Sequence, residues 1–327
     1  MTLIQGVSKM NTDFGKLVRL SKDISKFGFE FLQSNVCHST LVDDHITRDI
    51  ILCFIHAQAE FDGIISLIGK NNTQPNTSQL QLRTMFENWL YVLLISTKDG
   101  EMWARYLEAT SQIRQIKRAK EIHKAGAFTE SEMNDIIDTS QKMLDEIGTS
   151  YNFPELPIFA PSKKDDEITR FTNEIKTIIN QSESSHKNQL INQLDNIVTS
   201  KQKPPRNFIK KPLKILELCV VTDFYYPSEL KDNISYVTWY KRIYSHLSDY
   251  AHNDLSNASS VITFRNDKFI ANVAGDSEAS PNLLKSGIAF YLGTLEYLAG
   301  NLNVDVNKQL KRFSVRLNSF KHLGKKL

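Results

Sequence analysis

The sequence has few of the residues that interrupt helices. Its 327 residues include only 13 glycines and 9 prolines, and several stretches of 20 or more residues contain neither. A fold of many short strands needs frequent glycine and proline turns, so their scarcity favours long helices. We therefore predict a mainly all-α protein, built as a multi-helix bundle.

Cysteine is scarce and long apolar runs are missing. The sequence has three cysteines, Cys37, Cys53 and Cys219. They are widely separated and lack the paired spacing of zinc ligands, and their small, odd number argues against a disulfide-rich secreted scaffold. No run approaches the roughly 18 consecutive apolar residues of a transmembrane helix, and residues 1–10 lack a signal-peptide core. We expect a cytoplasmic protein with no membrane partner.

Signatures of bound nucleotides are also absent from the sequence. It contains no glycine-rich phosphate loop and no dinucleotide fingerprint, which argues against a P-loop motor, a kinase or a Rossmann enzyme, and we predict no cofactor. The net charge of +3 is too small to indicate nucleic acid by itself. Basic residues concentrate in segments 201–211 and 308–326. The candidate RNA-binding residues are Lys210, Lys211, Arg242, Lys311 and Arg312.

Apolar residues recur at three- and four-residue steps along most of the chain, which is the spacing of amphipathic helices. Asp43 and Asp44 are placed to cap the second helix. Two β-prone runs, 260–264 and 269–273, predict a small hairpin. The predicted helices are 14–34, 45–68, 78–96, 101–125, 130–147, 168–198 as one or two helices, 212–221, and 281–302.

The same patterns predict four segments along the chain. Residues 1–150 form an N-terminal helical region, and residues 213–302 form a C-terminal one. Between them, residues 151–212 hold polar helices and a basic, proline-rich loop that serves as an insertion or linker. Residues 303–327 form a basic tail.

One candidate site lies in the predicted helix 78–96, the most apolar of the first half. Arg83 and Glu87 are four residues apart and therefore share one helix face. One explanation is an intrahelical ion pair at the edge of the core. The functional explanation is an arginine that binds phosphate or stabilises a developing anion, held in place by Glu87.

A second candidate site lies in residues 234–252. Tyr244, Ser248 and His252 recur at four-residue steps on one helix face, with Ser245 on a neighbouring line. A histidine hydrogen-bonded within the core is one explanation of this pattern. Alternatively, His252 takes a proton from a ribose 2′-hydroxyl or delivers one to a leaving oxygen, because an imidazole titrates near neutral pH. Ser248 would then orient it or bind the substrate.

Other chemistries fit these residues less well. The serines have no neighbouring glycine and so lack the nucleophile elbow of Ser-His hydrolases. His246 and His252 are six residues apart and lie on opposite sides of a helix, so we predict no metal site. Arg118 and His123 form another pair, in a basic stretch that is typical of a solvated helix face.

An Arg-x3-Glu helix followed by a Tyr/Ser-rich helix that ends in His resembles a family of bacterial all-helical proteins of unknown function. The matching residues are Arg83, Glu87, Tyr244, Ser245, Ser248 and His252, within about residues 46–302. That family is similar to the HEPN superfamily, whose helical domains include metal-independent ribonucleases of toxin and phage-defence systems. The resemblance implies an RNA substrate, a protein partner from the same system and a homodimer.

The HEPN signature is an Arg followed four to six residues later by His, usually with a polar residue after the Arg. Here Arg242 lies ten residues before His252 and four before His246, and Ala119 follows the better-spaced Arg118. If the two candidate helices pack together, Arg83 would supply the missing cation to His252.

Three hypotheses of function follow from these patterns. The first is a HEPN-like ribonuclease or RNA-processing effector, which requires an open basic cleft beside His252. The second is a catalytically inert helical interaction or sensor module, in which His252 is buried and fully hydrogen-bonded. The third is recognition of a small nucleotide ligand without turnover.

Overall fold

The computed structural model describes residues 2–36, 44–69, 75–150, 166–181, 187–199, 213–228, 235–240, 262–265, 268–271 and 280–323. The elements are α1 Thr2–Asn35, α2 His45–Gly69, α3 Pro75–Ile95, α4 Gly100–Lys124, α5 Glu130–Ser150, α6 Asp166–Gln181, α7 Lys187–Thr199, α8 Ile215–Tyr225, α9 Tyr236–Trp239, β1 Ile262–Arg265, β2 Lys268–Ala271, α10 Ser280–Asn301 and α11 Asn307–Asn318. The predicted all-α helical bundle is confirmed.

Most predicted helices lie within three or four residues of the observed ones, and two differ more. α1 begins at Thr2 rather than near residue 14. Residues 307–318, predicted only as part of a basic tail, form α11, in which Leu310 and Phe313 are buried. Residues 151–165 of the predicted insertion and its basic segment 201–211 lie outside the described residues.

The predicted hairpin is present, and both of its strands lie one or two residues closer to the turn than predicted. β1 pairs antiparallel with β2 in the register Ile262 with Ala271 and Arg265 with Lys268. The β-branched and aromatic residues of these short strands favour an extended backbone, as the sequence indicated.

The chain divides into two compact units. Unit 1 contains Met1–Leu93 and Lys241–Leu327, and unit 2 contains Leu94–Tyr240. This grouping differs from the four predicted segments, because α10 packs against α1 and α2 and thereby joins the two ends of the chain in unit 1.

Aromatic rings fill the core of unit 1. The ring of Tyr291 on α10 lies 5.1 Å from that of Phe54 and 4.8 Å from that of Phe61, both on α2. On the other side of α10, Phe290 contacts Phe86 of α3 at 5.5 Å between ring centroids. Ring pairs at these distances add directional attraction to the burial of apolar surface.

A polar network that runs from the buried Tyr291 hydroxyl to the exposed carboxylate of Asp62 links α1, α2 and α10. Tyr291 donates its hydroxyl proton to Oε1 of Gln58, whose amide nitrogen lies 2.9 Å from both Ser25 Oγ and Asp62 Oδ2. Ser25 donates to the other carboxylate oxygen of Asp62. Both ends of the Gln58 amide are therefore bonded, which is how a buried amide avoids its desolvation cost. Burial raises the pKa of Tyr291, so its hydroxyl stays a donor.

In unit 2, α4 packs along α5, α6 packs against α7, and α8 against α9. Two tyrosine hydroxyls bridge elements distant in sequence. The Tyr106 hydroxyl accepts the backbone N–H of Leu213 at 2.6 Å, and the Tyr225 hydroxyl donates to Asp99 at 2.6 Å. Leu213 and Tyr225 lie at the two ends of the α8 segment, and their partners belong to α4 or directly precede it. The two bonds therefore hold the α8 segment to α4.

Asp44 caps α2, as the sequence predicted. Its carboxylate accepts the Ile46 backbone N–H at 3.0 Å and the Thr47 hydroxyl. These bonds lower the pKa of Asp44 below its ordinary value of 3.8. A carboxylate bonded in this way stabilises the folded state above the unfolded pKa, and the stabilisation is lost as the pH falls through the folded pKa.

Replacing Asp44 by Ala is therefore expected to lower the free energy of unfolding by about 1 kcal/mol at pH 7, and by less at pH 3. Urea unfolding at the two pH values measures the difference. Asp44→Asn is the matched control, since an asparagine caps without ionising. An equal loss for Asp44→Ala at both pH values would show that the carboxylate does not act as the cap.

Helix α2 is long and apolar enough to cross a membrane by length and composition, and is the one such helix within the described ranges. Its window His45–Ile68 has a mean hydropathy of 1.5, and half of that window is buried inside the protein. The core helix of a soluble protein has the same properties. The contacts of Phe54 and Phe61 with Tyr291 place one face of α2 in the core of unit 1.

Candidate functional site

The predicted pair in α3 is formed. Arg83 Nε lies 3.3 Å from Glu87 Oε1, and the two side chains are 25% and 20% exposed. Leu82, Phe86 and Leu90 of the same helix are buried, which places the pair at the border of the unit 1 core. Charges at such a border are less screened than fully exposed ones.

This geometry suits anion recognition. A guanidinium carries five N–H donors in a rigid plane, and its planar fork matches the oxygens of phosphate or carboxylate. The bond to Glu87 fixes the plane of Arg83 relative to α3. The pair is compatible with phosphate binding, and it equally suits an ion pair that stabilises the helix.

The remaining predicted catalytic residues are Tyr244, Ser245, Ser248 and His252, and they lie outside the described residues. So do the candidate RNA-binding residues Lys210, Lys211 and Arg242. The approach of Arg83 to His252 stays a prediction.

The other two candidate RNA-binding residues lie on α11. Lys311 and Arg312 are exposed there, while Leu310 and Phe313 face the protein and are buried. The ring of Phe313 contacts Phe27 of α1 at 5.6 Å between centroids. The basic residues of α11 are thus held on a docked helix rather than on a free tail.

The Arg118 and His123 pair of α4 does not form a site in the structure. Arg118 is exposed, whereas His123 Nδ1 lies 2.9 Å from the backbone oxygen of Phe128. That contact, together with Gly126 at φ +76°, shapes the turn that ends α4. His123 therefore has a structural role, and the surrounding basic residues form the solvated face that the sequence indicated.

A titratable cluster that the sequence analysis missed lies between α2 and α3. His56 Nδ1 is 2.9 Å from Asn88 Nδ2, and His56 Nε2 is 3.7 Å from Glu60 Oε1. Because the amide nitrogen donates to Nδ1, the neutral ring carries its proton on Nε2, facing Glu60. Partial burial raises the pKa of Glu60, and the neighbouring His56 opposes that shift.

The sequence indicates only one of the two contacts in this cluster. His56 and Glu60 are four residues apart on one helix, a spacing that indicates contact. Asn88 lies 32 positions away on another helix, so its contact with His56 depends on how α2 and α3 pack. Within the described ranges, no group of three or more His, Cys, Asp or Glu residues is placed to hold a metal ion.

No family model matches the chain, and neither a curated protein nor a solved structure does.

Proposed function

We propose that the protein is a cytoplasmic, metal-independent ribonuclease or RNA-processing effector of the bacterial defence or toxin type. The supporting observation is the Arg83–Glu87 pair, an oriented guanidinium at the border of an apolar core. The resemblance of the Arg-x3-Glu and Tyr/Ser-x-x-Ser-x3-His helices to HEPN-like proteins supports the same function.

In this proposal Arg83 binds the scissile phosphate and stabilises the negative charge that develops on its oxygens. His252 takes the proton of the ribose 2′-hydroxyl as the 2′-oxygen forms a bond to phosphorus. The bond from phosphorus to the 5′-oxygen breaks, and that oxygen receives a proton.

Side chains around these two groups have supporting roles in the proposal. Glu87 orients Arg83, and Ser248 orients His252. Tyr244 and Ser245 contact the substrate.

The basic residues account for binding of the RNA backbone. Lys311 and Arg312 on α11, with Lys210, Lys211 and Arg242, would neutralise phosphates and release condensed counterions. Affinity for RNA is therefore expected to fall as salt rises.

The test is cleavage of a panel of labelled RNAs, including tRNA, by the full chain in the presence of a chelator. The wild-type protein is expected to cleave, and His252→Ala is expected to abolish cleavage. Arg83→Ala is expected to slow cleavage by about 10- to 100-fold, the effect of removing one charged hydrogen bond.

Arg118→Ala is the matched control, because it removes an exposed arginine from another helix and should leave cleavage unchanged. Circular dichroism shows whether each variant is folded. If folded wild-type protein cleaves none of the RNAs, the ribonuclease proposal is wrong. Binding of a nucleotide without turnover would instead indicate the ligand-recognition hypothesis.

A helical interaction module is the second candidate function. One observation favours it: α2 exposes the apolar side chains of Leu52 and Ile55, although other residues of the same helix form the core of unit 1. Exposed apolar side chains grouped on one helix face are typical of a protein-binding surface.

A further inference from the structure

Helices α2 and α3 run antiparallel where they meet. His56 of α2 contacts Asn88 of α3, and Gly63 of α2 packs so closely against Gln81 of α3 that a β-carbon there would overlap the Gln81 side chain. The seven positions forward from His56 to Gly63 thus correspond to the seven positions back from Asn88 to Gln81. A residue of α2 four positions after His56 is therefore level with the α3 residue four positions before Asn88.

This correspondence brings His56 level with the Arg83–Glu87 pair. Glu60 lies opposite Thr84, and Nε2 of His56 faces Oε1 of Glu60 at 3.7 Å. Arg83 directly precedes Thr84, and its guanidinium is bonded to Glu87 along the next line of side chains on α3. Consecutive residues of a helix point about 100° apart. The guanidinium and the imidazole therefore lie at the same height, on the two sides of Thr84.

The imidazole of His56 is both open to solvent and held in place. Its side chain is 57% exposed, and Nε2 is too far from Glu60 for a hydrogen bond, so a substrate oxygen can reach this nitrogen. The contact of Nδ1 with Asn88 holds the ring. When the ring is protonated, a half-turn of the Asn88 amide offers its oxygen to the Nδ1–H group. His56 therefore has a fixed contact on one nitrogen and an accessible proton on the other.

We infer that His56 is the general acid of the proposed ribonuclease site, with the scissile phosphate above the partly exposed Thr84, between His56 and Arg83. The inference rests on the proposed function, in which His252 takes the proton of the 2′-hydroxyl. The departing 5′-oxygen then needs a proton of its own, because an alkoxide is a poor leaving group at neutral pH.

In this step the protonated His56 supplies that proton. The 2′-oxygen forms its bond to phosphorus, and the bond from phosphorus to the 5′-oxygen breaks. The electron pair of the broken bond takes the proton from Nε2 of His56. The products are a 2′,3′-cyclic phosphate and a 5′-hydroxyl, and both histidines return to their starting states by exchanging protons with water.

The test compares two substrates of the full chain. The first is a synthetic RNA that carries a cleavage site mapped in the RNA panel, and the second has sulfur in place of the 5′-bridging oxygen at that site. Sulfur leaves as a thiolate and needs no proton. His56→Ala is expected to lower kcat about 100-fold for the oxygen substrate and to leave kcat for the sulfur substrate within about threefold of the wild type. Asn88→Ala, which releases the ring, should show the same pattern with a smaller loss.

Further variants separate the loss of an acid from other effects. Arg83→Ala should slow cleavage of both substrates, because charge develops on the phosphate whichever atom leaves. His45→Ala is the matched control, since it removes an exposed histidine of the same helix and should leave both rates unchanged. Thr84→Trp should prevent cleavage of both substrates by filling the space for the phosphate, whereas Thr84→Ser should not. Circular dichroism shows whether each variant is folded.

The outcomes distinguish this inference from the proposed function. Unchanged cleavage of the oxygen substrate by folded His56→Ala or by folded Thr84→Trp overturns the inference, while the ribonuclease proposal stands. An equal loss on both substrates in His56→Ala also overturns it, because the role of His56 would then not be proton donation. If the wild type cleaves no RNA of the panel, the ribonuclease proposal itself fails and this inference fails with it.

Discussion

Replacing Asp223 by Ala is expected to lower the free energy of unfolding by about 3 kcal/mol, measured by urea unfolding at pH 7. Asp223 is 1% exposed, and its carboxylate accepts hydrogen bonds from three donors among the described residues. The donors are the Ser235 hydroxyl at 2.8 Å and the backbone N–H groups of Tyr236 at 2.7 Å and Val237 at 3.2 Å. Alanine would leave all three donors buried without this acceptor.

The position of these donors explains the size of the expected loss. Tyr236 and Val237 are the first residues of α9, where helix geometry leaves backbone N–H groups without intrahelical partners. Ser235 stands at the N-cap but makes no capping bond with its own side chain. Asp223 of α8 supplies that bond instead, so one carboxylate both caps α9 and fastens it to α8.

Two further variants separate this role from a general effect of losing a charge. Ser235→Ala removes one of the three donors and should cost about 1 kcal/mol. Asp138→Ala removes an exposed carboxylate of unit 2 and should cost less than about 0.5 kcal/mol. If Asp223→Ala costs no more than Ser235→Ala, the two backbone bonds contribute nothing measurable.

The sequence predicted those features of the fold that depend on neighbours along the chain. The helical spacing of apolar residues located α2 to within one residue, and Asp44 was recognised as its cap because capping acts over two or three positions. The helix α11 was not predicted, because its only buried apolar residues are Leu310 and Phe313, and one three-residue step among many charged residues is too short a pattern to indicate a helix.

In the candidate site, too, the sequence predicted only contacts between residues that are near each other along the chain. The contact of Arg83 with Glu87 was predictable because four-residue spacing brings side chains together on any helix. The contact of His56 with Asn88 was not, and neither was the bond from Tyr291 to Gln58 across 233 positions. Such contacts depend on which helix faces meet, and one sequence carries no local signal for that choice.

Gly28 presents a case in which helix packing outweighs helix propensity. An alanine inside a helix ordinarily stabilises it by about 1 kcal/mol relative to glycine. At Gly28, however, a β-carbon would overlap the Tyr291 hydroxyl and lie 2.7 Å from Cζ of that ring and 3.0 Å from Cζ of Phe54. Tyr291 is fully buried and cannot move aside without losing its bond to Gln58 and its contacts with α2.

We therefore expect Gly28→Ala to lower the free energy of unfolding by about 2 to 3 kcal/mol, through overpacking and the loss of a buried hydrogen bond. Gly15→Ala is the matched control on the same helix. It places a β-carbon in open space and should raise stability by up to about 1 kcal/mol.

The double variant Gly28→Ala/Tyr291→Phe identifies the cause of the loss. Phenylalanine removes the hydroxyl that the new β-carbon would overlap, so the two substitutions should together cost less than the sum of their separate costs. Strict additivity would mean that Gly28→Ala acts on the helix backbone rather than on Tyr291. A deficit of 1 kcal/mol or more, on the order expected for residues in contact, would show that Gly28 is needed to leave room for the hydroxyl that bonds Gln58.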